Sequence, residues 1–164
     1  MNDDRAAILS EVGAAVATAL ATARVMTPAD CRRISSAENW PAVIVAYHIG
    51  LGLRRQAGFI SRALTGDEPF QFEWEPTHDV NAVNARDHAS MSSDQAAAEI
   101  EEGWTRLQMV AGQMAEEDWS RHVFVFRDRR QSADVVLRRI VLPHVNEHLQ
   151  SLRRTVAEGP AKAL

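Results

Sequence analysis

His144 and His148 are the residues whose type and spacing point most directly to chemistry. In a helix, residues four apart lie on one face a turn apart, so two imidazoles at this spacing can bind one metal ion. A third histidine, His48, sits inside the apolar run Val43-Ile44-Val45-Ala46-Tyr47-His48-Ile49-Gly50-Leu51. All three fall on the apolar stripe of their segment. A buried imidazole needs partners for both ring nitrogens. Three inward-facing histidines on two helices can find them through a shared metal, as bundle cores commonly do. The pattern suits ordinary core histidines as well, and an H-x3-H pair arises readily by chance. Spacing alone leaves the two readings open.

Four helical segments would have to position these residues. The first runs from about Asp4 to Arg24, with Ile8, Val12, Val16 and Leu20 recurring every fourth residue beside Leu9; Thr27-Pro28 ends it. The second opens at Trp40-Pro41 and runs to about Leu64, with Gly66 as its C-terminal stop. Ile44, Tyr47, His48, Leu51 and Phe59 share one of its faces, and Ala42 to Leu53 is apolar nearly all round, which predicts a central helix. The third starts at a capping box, Ser92-Ser93-Asp94-Gln95, and buries Ile100, Trp104, Leu107, Ala111 and Met114. The fourth spans about Ser132 to Ala157, with Leu137, Val141, His144, His148 and Leu152 aligned. Pro143 lies within it. Proline removes a backbone donor and clashes with the carbonyl four residues back, so a kink or a restart is expected beside His144.

Two long connections complete the chain. Residues 67–91 read as irregular or partly helical toward their end. Residues 118–131 contain His122-Val123-Phe124-Val125-Phe126, a short strand or an extended crossover. Connections this long are often functional. The tail, 158–164, reads as frayed. There is no internal repeat. The fold class expected is all-α, in a single domain spanning 1–164.

Composition narrows the function. Of 164 residues, 46% are hydrophobic, enough for a core without disulfides. The formal net charge of −4 argues against nucleic acid. A single cysteine, Cys31, excludes an internal disulfide and fits a reducing compartment. It reads as a packed or idle thiol. The acidic start predicts no signal peptide, and every stretch of about twenty apolar residues carries charge, so no membrane span is expected. The expected location is the cytoplasm.

In the order and spacing of its motifs, nearly the whole chain resembles the DinB/YfiT-like superfamily of metalloenzymes. Trp40 opens a helix and His48 follows eight residues later. Asp79-Val80-Asn81-Ala82-Val83-Asn84 comes after a long connection, then a Ser-initiated amphipathic helix. Last comes His144-Val145-Asn146-Glu147-His148, followed by Leu149 and Leu152-Arg153. The resemblance implies a four-helix bundle with long connections between helices 2 and 3 and between helices 3 and 4. It implies one divalent metal ion (zinc, nickel or manganese) on His48, His144 and His148. It also implies a thiol-dependent S-transferase or related hydrolase using a low-molecular-weight thiol, and a homodimer. A non-catalytic stress-response or ligand-binding protein on the same bundle is the alternative.

Three protein ligands leave positions open for water or substrate, the pattern of a catalytic site more than a structural one. Tyr47, Asn81, Asn84 and Glu147 are the candidate pocket groups. Asn84 matches an asparagine that recurs in the family and could also be a cap or turn residue. Glu147 is expected to point beside the site into solvent. His78, His88 and His122 read as surface histidines. Phe70, Phe72, Trp74, Phe124 and Phe126 read mostly as packing, with a pocket mouth or dimer surface as the other possibility.

Overall fold

The computed structural model describes residues 2–157; the tail expected to fray lies outside the described residues. The chain is mostly helical with one small sheet. In order it forms α1 (Asn2–Arg24), α2 (Pro28–Cys31), α3 (Ala42–Leu64), β1 (Phe70–Gln71), α4 (Trp74–Asp87) and α5 (Ser93–Gln113). A short 3-10 turn, Glu117–Ser120, leads into β2 (His122–Phe126), β3 (Arg129–Ser132), α6 (Ala133–Val136) and α7 (Leu142–Ala157). Between α6 and α7 the chain makes a π-helical turn, Leu137–Val141.

α3 is the central helix, as its all-round apolarity predicts, with thirteen of its residues buried. It packs against α5 and α7, and α1 packs against the same two. The α3–α5 contact is backbone on backbone: a Cβ at Gly50 would lie 2.5 Å from the carbonyl carbon of Glu99, and one at Gly103 would strike the Gly50 carbonyl oxygen. Only glycine allows two helices so close. α3 ends in a Schellman motif: the Gly66 N–H (φ 93°) donates to Ala63 and the Asp67 N–H to Arg62.

The stripe of α1 turns out to be Ile8, Val12, Val16, Ala19 and Ala23, with Leu9 and Leu20 only half-buried. Steps of four advance 400° and drift off a 3.6-residue helix, so position 19 replaces position 20. Despite its charges, Asp4–Arg24 is long and apolar enough by composition to cross a membrane, contrary to expectation. In this fold its buried stripe faces the core instead.

Thr27-Pro28 does more than end α1. Thr27 caps α2 through a capping box with Asp30. The expected box at Ser92 is present and opens α5. Within α5, Ile100, Leu107 and Ala111 are buried, while Trp104, and Met114 just past the helix end, are half-buried against the core.

The two connections hold more structure than their sequences suggest. Most of 67–91 is α4, a helix with no buried residue. His122–Phe126 is a short strand, the first of the two expected alternatives, and it folds back as a hairpin with β3 and does not cross over. β2 pairs antiparallel with β3 and parallel with β1, in the order β1-β2-β3. Arg127 and Asp128 turn it with φ of 47° and 63°, as a two-residue turn between right-twisted strands requires. The sheet lays Phe70 on Phe59 of α3, ring centroids 4.0 Å apart, and Phe72 against Phe124 at 5.2 Å. Phe70, Phe72, Phe124 and Phe126 therefore pack on the core, while Trp74 is exposed.

Pro143 sits in the first turn of α7, directly after the π turn. The Leu142 N–H donates to Leu137, five residues back. Widening the turn moves the carbonyls that the proline ring would otherwise meet. The expected kink is thus a π turn within a continuing helix.

Candidate metal centre

His48 comes from the second turn of α3, and His144 and His148 come from successive turns of α7. The three rings meet, with centroids 5.0 Å apart for His48–His144, 4.8 Å for His48–His148 and 4.6 Å for His144–His148. One nitrogen of each lies within 4.8 Å of one nitrogen of each other ring. Three nitrogens in tetrahedral array on one ion, at about 2.1 Å each, lie about 3.4 Å apart, so the rings would have to turn inward to bind it together. Gly52, one turn beyond His48, makes room: a Cβ there would run into the His144 ring. Trp40 walls the other side, its ring edge-on to His48 at 5.2 Å.

The electrostatics favour neutral imidazoles. Burial pushes His48 down to about 3, helped by the neighbouring His148 and by Arg55. Burial also holds His144 well below the ordinary range, with the same neighbours and His48 contributing. A metal needs each ring unprotonated at one nitrogen, and burial favours that state in His48 and His144.

A carboxylate behind the cluster fixes one ring. His148 Nδ1 lies 2.9 Å from Glu38 Oε1, so Nδ1–H donates to the carboxylate and Nε2 carries the free lone pair. The other oxygen of Glu38 accepts from Ser151 Oγ at 2.5 Å and from Ser35 Oγ, and the two hydroxyls are 2.8 Å apart. Burial raises the Glu38 pKa, but the bonds from Ser151, Ser35 and His148 outweigh it and leave it lowered. The loop carrying Glu38 is strapped in place. The Ser35 N–H donates to Trp40 at 2.8 Å and the Ala42 N–H to Arg33 at 2.8 Å. Asn39 takes a left-handed φ of 58° in the tight turn.

The other candidates divide. Tyr47 is buried, and its hydroxyl donates to Asn84 Oδ1 over a long 3.5 Å. Its ring stacks on His88 at 4.4 Å. Asn81 accepts from Arg55 Nη1 at 2.8 Å. Asn84 also caps back to Val80 through its amide. These residues face one another across α3 and α4. Glu147 and His122 are exposed, as expected, and His78 stacks on exposed Trp74. Cys31 is buried, and burial pushes its thiol pKa up, consistent with a packed thiol. Two surface concavities, of about 440 Å³ beside Phe72 and Trp74 and about 600 Å³ beside Glu147 and Arg153, are not lined by His48, His144 or His148.

Sequence reasoning missed Glu38, Ser35, Ser151, Gly52 and Arg55. Ser151 was within reach of it, three residues after His148 on the same face. Glu38 was not, because it lies in an irregular loop where no periodicity aims a side chain. No family model, no curated protein and no solved structure matches the chain.

Proposed function

We propose that the protein is a metal-dependent enzyme of the DinB/YfiT-like type, its helices arranged as a four-helix bundle around one divalent ion on His48, His144 and His148. The observation that carries this reading is the convergence of three imidazoles, one held by a half-buried carboxylate and one seated over Gly52. Three nitrogen ligands suit zinc, nickel or manganese and leave positions for a substrate. Bound there, the ion would stabilise the anionic form of a thiol or water and polarise an electrophile. The chain's own part would be to orient the ligands through Glu38, to exclude water with Trp40, and to line the approach with Tyr47, Asn81 and Asn84. Thiol-dependent S-transfer is the reaction favoured, with a related hydrolysis next.

The same reading includes the cytoplasm, which suits a free buried cysteine, and a homodimer. Trp74, Val80 and Val83, all exposed on α4, offer apolar surface for one. A non-catalytic ligand-binding or stress-response protein is the second reading, favoured by two concavities that none of the three histidines lines.

The deciding experiment is elemental analysis of tag-free protein purified without chelator, beside His48→Ala and the His144→Ala/His148→Ala double variant. About one equivalent of metal per chain, lost in both variants, is the expected result. No metal in the parent after reloading would overturn the reading.

A further inference from the structure

Three positions of α3 lie along one face: His48, Gly52 four residues on, and Arg55 three further. The His144 ring lies over Gly52. Arg55 is therefore the next side chain along the face that carries the histidines. It is half-buried, and its one side-chain partner is a neutral amide, Asn81 Oδ1 at 2.8 Å. The adjacent Arg54 forms an ion pair with Glu99 at 2.9 Å, but among the described residues no carboxylate pairs with Arg55. Burial lowers the Arg55 pKa, and the further influences on it come from the Tyr47 phenol and Arg54, not from a carboxylate. Arginine stays charged in any such setting. A half-buried, unpaired charge is costly unless something binds it.

Charge balance gives the same answer. On the metal reading proposed above, three neutral imidazoles would hold an ion of charge +2, Arg55 adds one more, and the carboxylate bonded to the cluster is Glu38. The site then carries surplus positive charge that a bound anion would offset. Asn81 turns its oxygen to Arg55, so its amide N–H groups are free to donate beside the guanidinium.

We propose that Arg55, with Asn81, anchors an oxyanion of the ligand, so that the site takes an anionic small molecule whose other end reaches the histidines. Along the helix axis Arg55 lies about 10 Å from His48 and about 5 Å from Gly52, over which the His144 ring sits, and these two figures bracket the span between the two ends. The inference rests on the metal reading for the far end only.

The test uses cobalt(II)-loaded protein and two thiols of equal length, 6-mercaptohexanoate and 6-mercaptohexanol, followed by thiolate-to-cobalt absorbance. The parent should bind the carboxylate about tenfold more tightly. Arg55→Gln should erase that preference while keeping its cobalt and its affinity for the alcohol. Competition by acetate or by inorganic phosphate would tell a carboxylate site from a phosphate site. Equal affinities in the parent, or a preference that survives in Arg55→Gln, would overturn the proposal. A parent that takes up no cobalt overturns the metal reading instead. In that case the Arg55 Nε–H resonance of the metal-free protein, titrated with acetate and phosphate, decides: a saturable shift supports the anchor, and none refutes it.

Discussion

Glu38 reaches His148 from a loop, and that one bond selects which ring nitrogen faces His48 and His144. Replacing Glu38 by alanine should therefore weaken metal binding by about 10- to 100-fold, while glutamine, whose amide oxygen can still accept from Nδ1–H, should recover part of the loss. Competition against a chelating dye measures both, and equal affinities for parent and alanine variant would show the carboxylate to be idle. The histidines also give metal-free protein a defined pH dependence. His48 is held at about 3 by burial first, against an ordinary value near 6.5, so between those values the unfolded chain binds a proton that the folded chain does not. This contribution is complete above pH about 6.5 and is lost as pH falls toward 3, by about 1.4 kcal/mol per unit. His144 acts in the same direction. Urea unfolding of chelator-treated protein at pH 7.0, 6.3 and 5.5 should show stability falling steadily, with a shallower slope in His48→Gln. A flat profile would contradict the burial described.

At the scale of elements, what could be read from sequence depended on whether a segment's side chains announce its geometry. The Ser92 box, the Gly66 stop and the apolar face of α3 rest on local rules, and each is present. Ser92→Ala should cost about 1 kcal/mol in urea unfolding and leave metal stoichiometry unchanged, since α5 contributes none of the three histidines. A loss of metal in that variant would mean that the cap does more than start a helix. The hairpin was unreadable for an equally local reason. A two-residue turn with both residues left-handed normally shows itself by Asn-Gly or Asp-Gly, and here Arg127-Asp128 adopts it without a glycine. α4 gave no apolar stripe to read, because none of its residues is buried. Pro143 announced a disturbance but not its form, since a kink, a restart and a π turn all relieve the same clash.

Across the whole molecule, the proposed site joins α3 and α7, two helices far apart in sequence, so a metal would act as a crosslink between them. An ion that binds only the folded chain, at 100 times its dissociation constant, stabilises by about 2.7 kcal/mol. For a chain of this size that is roughly 5–10 °C in Tm. Thermal unfolding with zinc, then with excess chelator, should show such a difference in the parent and none in the His144→Ala/His148→Ala variant. The candidate triad itself was legible because helical periodicity aims side chains; its supporting carboxylate was not, because it comes from a loop whose course only the assembled fold determines.

α4 lies over the face of α3 that carries Tyr47 and Arg55, yet none of its residues is buried; the side-chain ties from Tyr47 and Arg55 to Asn84 and Asn81 help to hold it there. Such a segment can detach without disturbing the core, at a free energy well below that of global unfolding. Its amides should exchange with deuterium orders of magnitude faster than those of α3 under native conditions, and mild protease should cut between residues 72 and 91 before anything else in the described chain. The cover over Tyr47 and Arg55 would then be latched by two amide side chains, and how often it stands ajar would set how fast an anion reaches Arg55.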